Sequence, residues 1–461
     1  MGGSGYSAVG AHYQTLIVKL RHLKKRLIMT DRLPDKIDNV PEEKNFSHDR
    51  MAELIMHNMT FLTYADTGEI LYYDKAAGIY KQNGQQLIQQ KVETIMGLKG
   101  LLAKSTAHYA NEVVGHIQRT TFTPREEFNK FPNLLTLKNG VLDLEDHYIL
   151  PHRREFNATI AVPLIYNPEA QCPAITKFLS DIVKPEDVTL LLEVIGWCLD
   201  ANSRMQKLVM LLGDGANGKS TFLGLLRAFV GSENCSSESL HQLTENRFSM
   251  AELYNKLVNI FGDLPAKGIK DVSNIKTLTG GDLLVAEKKF QNQFTFVNKA
   301  KLIFSMNQLP SLPEDNLAMW RRIILIDFPN EFTGKKDDKQ IIDKLTTEEE
   351  LSGLLNLALQ HLKDVQTKGE FSYHKSIDDV RREYLLKSDP AVVFINERCI
   401  EVSDSHISKE DLYQAFVSFC KEVKRPAPGK NQFGARLNSL DIVSERQDER
   451  RIHEWVGLKL K

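Results

Sequence analysis

Residues 211–229 read LLGDGANGKSTFLGLLRAF. Within them Gly213, Asp214, Gly215, Ala216, Asn217, Gly218, Lys219 and Ser220 satisfy the spacing G-x-x-x-x-G-K-[ST], and Thr221 follows. These residue types suit a nucleoside triphosphate. Glycines let backbone N–H groups turn inward on the phosphates, and the start of the next helix adds positive potential. Lys219 reaches the β and γ phosphates, and Ser220 offers its hydroxyl to Mg²⁺. The flanks agree, since 208–212 is an apolar run of buried-strand type and 220–229 has helical spacing. The expected cofactors are ATP and Mg²⁺.

Hydrolysis needs an acidic residue at the exit of a neighbouring strand. KLVNIFGDLP supplies Asp263 there, and AKLIFSMNQLP ends its strand-like run at Asn307, an amide suited to orienting a water. MWRRIILIDFPNEF then places Arg321 and Arg322 just ahead of a third strand. Singly, an Asp after a strand is a turn residue and an Arg pair is surface charge. Their order behind one phosphate loop is what singles them out.

These groups need an α/β domain to hold them. From 207 to about 335, apolar strand-like runs alternate with helical segments, as in a largely parallel sheet. In front of it, DVTLLLEVIGWCLD puts Val188, Leu191, Leu192, Ile195, Cys198 and Leu199 on one helical stripe. The region 46–166 mixes short helices and hairpins, among them GEILYYDKAAGIYKQNG and a second with Asn139-Gly140 as its tight turn. Behind the core, 336–390 is helical. Over 391–461, Ser408 and Asp411 stand at capping-box spacing before the stripe Leu412, Ala415, Phe416, Phe419 and Val423. A short helix at 432–440 and a hairpin at 442–460 complete a winged-helix-like pattern.

Bulk composition adds bounds. At 461 residues, 42% hydrophobic, the chain supports several domains, and no apolar run approaches a membrane span. Five cysteines without a C-x-x-C pair fit reduced thiols in a cytoplasm. The opening MGGSGYSAVG reads as a linker, without the apolar core of a secretory signal. A net charge of -1 makes any phosphate-binding surface local. One basic run is KLRHLKKR in the flexible arm 1–45; the other is the carboxyl-terminal excess that includes Lys430, Arg436, Arg446, Arg450 and Arg451, expected to face duplex DNA. A solvated helix face is the plainer reading of each run.

Together these residues resemble the superfamily 3 DNA helicases, and within them the phage, plasmid and poxvirus-type primase-helicases. The resemblance is densest over 207–332. It implies an α/β fold with a P-loop AAA+-like core, a mixed amino-terminal module at 46–166, an oligomerising helical collar at 167–206, the ATPase core at 207–335, a helical segment at 336–390 and a winged helix at 391–461. GGDLLVAEKKFQNQFTFVNKAKLIFSMN looks like the family's DNA-touching hairpin followed by its asparagine sensor, which implies DNA contacts at Lys288, Lys289 and Phe290. Arg322 matches the trans-acting finger, with Arg321 the fallback, and Lys276 matches a basic residue that reaches a neighbour's nucleotide. A finger acting across subunits implies a homo-hexamer with single-stranded DNA in its channel and duplex at the winged helix.

One departure stands out. Many relatives carry two adjacent carboxylates where this chain has Gly262-Asp263. The only close carboxylate pair of the type that primase metal chemistry needs, Asp143 and Glu145, falls in a hairpin, so a separate primase or polymerase is an expected partner. The resulting expectation is an ATP-dependent hexameric DNA helicase or translocase in the replication of a phage, plasmid or other mobile element. The alternatives are an ATP-controlled origin-binding or scaffold protein without unwinding activity, and a packaging or remodelling motor.

Overall fold

The computed structural model describes residues 47–201, 205–287, 293–312, 317–334, 338–423, 427–440, 443–447 and 453–461. These divide into two units. One holds Gln86–Ile117 with the described residues up to Thr60, and the other holds Phe61–Gln85 with everything from Gln118 onward. Within 46–166, residues 86–117 fall in the first unit and 61–85 and 118–166 in the second.

The smaller unit is helical. Ser47 caps the helix His48–Asn58 by accepting from the Arg50 amide at 3.3 Å. Met51, Ala52 and Ile55 of this helix are buried, as are Ile88, Val92, Ile95 and Met96 on the next and Ala110, Val113, Val114 and Ile117 on the third. His116 Nδ1 lies 2.9 Å from the Asp49 carboxylate.

In the larger unit, the strands Ile79–Lys81, Ile70–Asp74, Phe61–Tyr64 and Phe122–Thr123 form one sheet in that order. Leu134–Leu137, Gly140–Asp143 and Ile149–Leu150 form another. Leu137 stands opposite Gly140, so the tight turn is Lys138-Asn139, one residue earlier than the sequence suggests. Gly140 belongs to the strand at φ +147°, and a Cβ there would lie 2.5 Å from both Ile149 Cγ2 and the Leu150 carbonyl.

The central sheet has five parallel strands in the order Ile323–Asp327, Leu208–Leu212, Lys301–Met306, Val258–Phe261, Cys235–Ser236. Its near-continuous apolar runs follow from cover on both faces. Val209, Leu211, Ile303, Ile324 and Ile326 pack with Phe222, Leu226 and Phe229 of the helix Lys219–Val230 and with the helices Pro173–Ile182, Pro185–Trp197 and Glu348–Lys368. Met210, Leu302, Phe304 and Leu325 face the other way, toward Ile275, Phe294, Trp320 and Tyr384. The helices Pro173–Ile182, Pro185–Trp197 and Glu348–Lys368 therefore share one core with this face of the sheet.

From Pro390 the chain runs helix Pro390–Arg398, strand Cys399–Ser408, helices Lys409–Glu422 and Lys430–Ser439, then strands Ser444–Gln447 and His453–Leu460. Phe416 stacks on Phe433 with centroids 4.2 Å apart, and Leu412, Trp455 and Leu458 complete this core. Strand Cys399–Ser408 pairs antiparallel with His453–Leu460, which also pairs with Ser444–Gln447.

Candidate nucleotide-binding site

Strand Leu208–Leu212 ends at Gly213, the loop turns back on itself, and the helix begins at Lys219. Gly218 sits at φ +86°, and a Cβ there would lie 2.5 Å from Ile182 Cγ2, so both backbone and space call for glycine. Lys219 is buried, and its Nζ donates to the Gly213 carbonyl at 2.5 Å and to Asn217 Oδ1 at 3.0 Å. Burial holds this ammonium below the ordinary lysine range, with the Asp214 and Asp263 carboxylates acting in the opposite direction. Asn217 Nδ2 in turn donates to the Phe328 carbonyl at 3.3 Å, tying the loop to the end of strand Ile323–Asp327.

Gly215 to Thr221 line a cavity of about 910 Å³ together with Asp263, Ser305 and Asn307. Asp263 enters just past the end of Val258–Phe261 at φ +61°, a left-handed turn that Asp tolerates better than most residues. Asn307 enters directly after Lys301–Met306. Asp214 and Asn307 also border an adjacent opening of about 980 Å³.

The fit to ATP and Mg²⁺ rests on this donor set. A buried lysine at the start of a helix suits phosphates. Mg²⁺ in such sites takes one or two carboxylates plus substrate oxygens, which Asp263 and the Ser220 hydroxyl match. Among the described residues no group of three or more His, Cys, Asp or Glu side chains forms a metal cage.

No local sequence pattern marks the cavity's other wall. Phe178 and Asp181 come from the helix Pro173–Ile182, and Phe332, Asp338 and Lys344 come from beyond the sheet. The Phe332 amide donates to the Ala216 carbonyl at 2.7 Å, Asn330 Nδ2 donates to the Asp181 carbonyl at 2.8 Å, and Lys344 pairs with Asp338 at 2.6 Å. Ser305, two residues before Asn307 in the strand Lys301–Met306, lines the cavity as well, and nothing in its local sequence singles it out.

Arg322 and Lys276 are not lining residues of this cavity. Arg322 is 7% exposed; its Nε donates to Thr279 Oγ1 at 3.0 Å and its Nη1 to the Ala318 carbonyl. Burial and the adjacent Arg321 lower its pKa, with Asp282 opposing. Lys276 lies on the same helix as Thr279, Ser273–Gly280. Arg321 is the exposed member of the pair, donating to Gln206 Oε1 at 3.0 Å.

The expected DNA contacts fare unevenly. Lys288, Lys289, Phe290, Arg450, Arg451 and the arm 1–45 lie outside the described residues. Lys430 pairs with Glu410 at 2.5 Å, and Arg446 is exposed near His406. Arg436 is committed inward, where its Nε donates to Asp389 Oδ2 at 2.5 Å with both side chains at most 20% exposed. It is a bracing residue of the domain and not an open phosphate contact. Asp143 and Glu145 likewise serve their turn: Asp143 accepts from the amides of Glu145 and Asp146, and Glu145 accepts from Asn133 Nδ2.

No helix among the described residues is long and apolar enough to cross a membrane. Residues 57–184 match the family described as D5 N terminal like, and residues 211–322 match a family of unknown function, DUF5906. Over 248 residues, 49% of this chain, it is 26% identical to a putative helicase, L207/L206, of Acanthamoeba polyphaga mimivirus and 26% identical to primase D5 of fowlpox virus. The matched stretches span 26% and 31% of those relatives' own lengths. The apo structure of the NrS-1 C-terminal region aligns over 90% of this chain and 100% of its own at 11% identity, with a TM-score of 0.47. By its two matched segments and these relatives, the chain is similar to viral helicase and primase proteins.

Proposed function

We propose that the chain binds and hydrolyses ATP with Mg²⁺ and works as a hexameric DNA helicase or translocase in the replication of a phage, plasmid or other mobile element. The observation that carries this reading is convergence: the ends of three parallel strands bring Lys219, Asp263 and Asn307 to one cavity. In this reading Lys219 exchanges its bonds to Gly213 and Asn217 for phosphate oxygens. Ser220 and Asp263 hold the metal's coordination shell, and Asn307 orients the attacking water. Bound Mg-ATP supplies the transferable phosphoryl group and the charge neutralisation it needs.

In this reading Arg322 exchanges its bonds to Thr279 and Ala318 for the neighbouring subunit's nucleotide, and Lys276, on the helix that carries Thr279, reaches the same nucleotide, which makes the ring a requirement of the chemistry. Lys288, Lys289 and Phe290 meet single-stranded DNA in the channel, and Lys430, Arg446, Arg450 and Arg451 meet duplex. Relatives named helicase and primase support DNA as the substrate, and a separate primase or polymerase fits beside it. Gly262 favours a second reading, an ATP-controlled origin-binding or scaffold protein, because Asp263 lacks an acidic neighbour.

ATPase turnover with and without single-stranded DNA separates the two. A translocase shows several-fold stimulation that Lys219→Ala abolishes. Turnover indifferent to DNA returns the chain to the scaffold class.

A further inference from the structure

The strands Leu283–Ala286 and Phe294–Val297 form a two-stranded ribbon with Val285 opposite Thr295. One face buries Leu284, Ala286, Phe294 and Phe296, while Leu283, Val285 and Val297 are exposed on the other. Two strands alone are marginally stable. The ribbon's stance therefore depends on what lies against its buried face.

Much of that support is one aromatic stack. Phe294 and Phe296 meet the Tyr254 ring edge-on, with centroids 5.2 and 5.5 Å away, and Tyr254 meets Tyr64 at 6.2 Å. The Arg125 guanidinium lies over three of these rings, 4.1 Å from Tyr64, 4.5 Å from Tyr254 and 4.6 Å from Phe294. Its Nε and Nη2 donate to Asp66 Oδ2 and Oδ1 at 2.6 and 2.8 Å, a bidentate pair that fixes the plane of the cation. Asn255, at φ +59°, adds a bond from its Nδ2 to the Tyr64 hydroxyl at 3.2 Å.

Arg125 thus touches the ribbon at Phe294, the strand Phe61–Tyr64 at its last residue, and Tyr254, which leads into Val258–Phe261 and so to Asp263. Neither Arg125 nor Asp66 lines the nucleotide cavity. A desolvated cation shared by three rings is strong and directional, and lysine does not replace it, having neither the plane nor the fork.

We propose that Arg125 is a positioning residue for the ribbon: clamped by Asp66, it sets where the ribbon stands and links a load on the ribbon, through Tyr254, to the strand that carries Asp263. This rests on the reading of the chain as a DNA-stimulated ATPase.

The test compares Arg125→Ala, Arg125→Lys and Tyr254→Phe in the full chain. Turnover is measured with and without oligothymidylate, and amide hydrogen exchange is followed across the larger unit. In Arg125→Ala, the amides of 283–286 and 294–297 exchange roughly tenfold faster or more, those of 208–212 and 301–306 hold, basal turnover stays within about twofold, and stimulation by DNA is lost. Arg125→Lys falls between, and Tyr254→Phe, which keeps the ring, retains stimulation. Unchanged ribbon exchange in both arginine variants overturns the proposal, as does exchange that rises throughout the sheet or stimulation that survives in Arg125→Ala. If the wild-type chain shows no stimulation, the functional reading fails with the link to Asp263, and the exchange data still decide whether Arg125 positions the ribbon.

Discussion

Arg322 and Lys219 are bonded to opposite ends of one strand. The Leu208 amide donates to the Arg322 carbonyl at 2.8 Å where the strand begins, and Lys219 Nζ donates to the Gly213 carbonyl where it finishes. Parallel pairing of Ile323 with Leu208 and Asp327 with Leu212 keeps the two ends apart. Five residues at about 3.3 Å each put roughly 13–17 Å between the arginine and the phosphate loop. An arginine side chain does not span that distance, and the bonds from Arg322 to Thr279 and Ala318 hold it at the far edge.

Gly262 leaves room for the acid it lacks. A Cβ at that position would meet only Leu223 Cδ1, at 3.9 Å, an ordinary van der Waals distance. Gly262→Asp should therefore fold normally and place a second carboxylate beside Asp263. Steady-state phosphate release is expected to rise, because the water then has a neighbouring base. A variant that folds and turns over more slowly than wild type would show that Asp263 suffices without help.

Glu383 joins the helix Ile377–Ser388 to the end of strand Ile323–Asp327 through Lys387, which bonds both Glu383 (2.6 Å) and Asp327 (2.7 Å), and through Lys375, 2.8 Å from Glu383. Burial alone would raise its pKa, but the hydrogen bonds from Lys375 and Lys387 bring it down to about 2. A carboxylate with a lowered folded pKa stabilises fully above its unfolded value, near 4.5, and loses that contribution as pH falls toward about 2. Melting curves of wild type and Glu383→Gln should differ most above pH 4.5 and converge below it. A gap independent of pH would assign the difference to packing.

In the carboxyl-terminal region from Pro390, exposed and committed cations should separate. Arg436→Ala strands Asp389, whose Oδ1 caps the helix Pro390–Arg398 at Ala391 (2.8 Å). It should cost about 2 kcal/mol, between the values for surface and buried pairs. Lys430→Ala and Arg446→Ala should leave stability nearly unchanged. Each should instead lower the slope of log K against log salt for duplex DNA by about 0.9. Slopes unmoved by both would leave the carboxyl-terminal excess as solvated surface.

What the sequence revealed and what it hid have physical causes. Asp263 and Asn307 follow short apolar runs, and in a parallel sheet buried on both faces those runs are strands whose exits line the same edge. The loop at 213–220 carries its geometry in its own glycines. Arg321 and Arg322, by contrast, are identical neighbours in sequence, and only packing against Thr279 tells them apart. Phe178 and Phe332 meet the cavity from distant parts of the chain, with no local pattern to join them. Strand Cys399–Ser408 carries little strand signal, because the alternation of Ile400 and Val402 is cut short by the polar run Ser403, Asp404, Ser405 and His406. The ring stack at Arg125 is equally a product of tertiary assembly, drawing on residues 64, 125, 254 and 294.

The central claim is a site shared between subunits, and mixing tests it directly. In the proposed shared site Lys219→Ala would lack the phosphate contact and Arg322→Ala the finger, so each should assemble yet fail to turn over ATP alone; a trans arginine contributes roughly 10³ to 10⁵ in rate. Rings assembled from both variants and shown by mass to be mixed can set an intact loop against an intact arginine. ATPase activity that reappears on mixing and peaks near equal proportions is the predicted result. Mixed rings that stay inactive at every ratio would contradict the account.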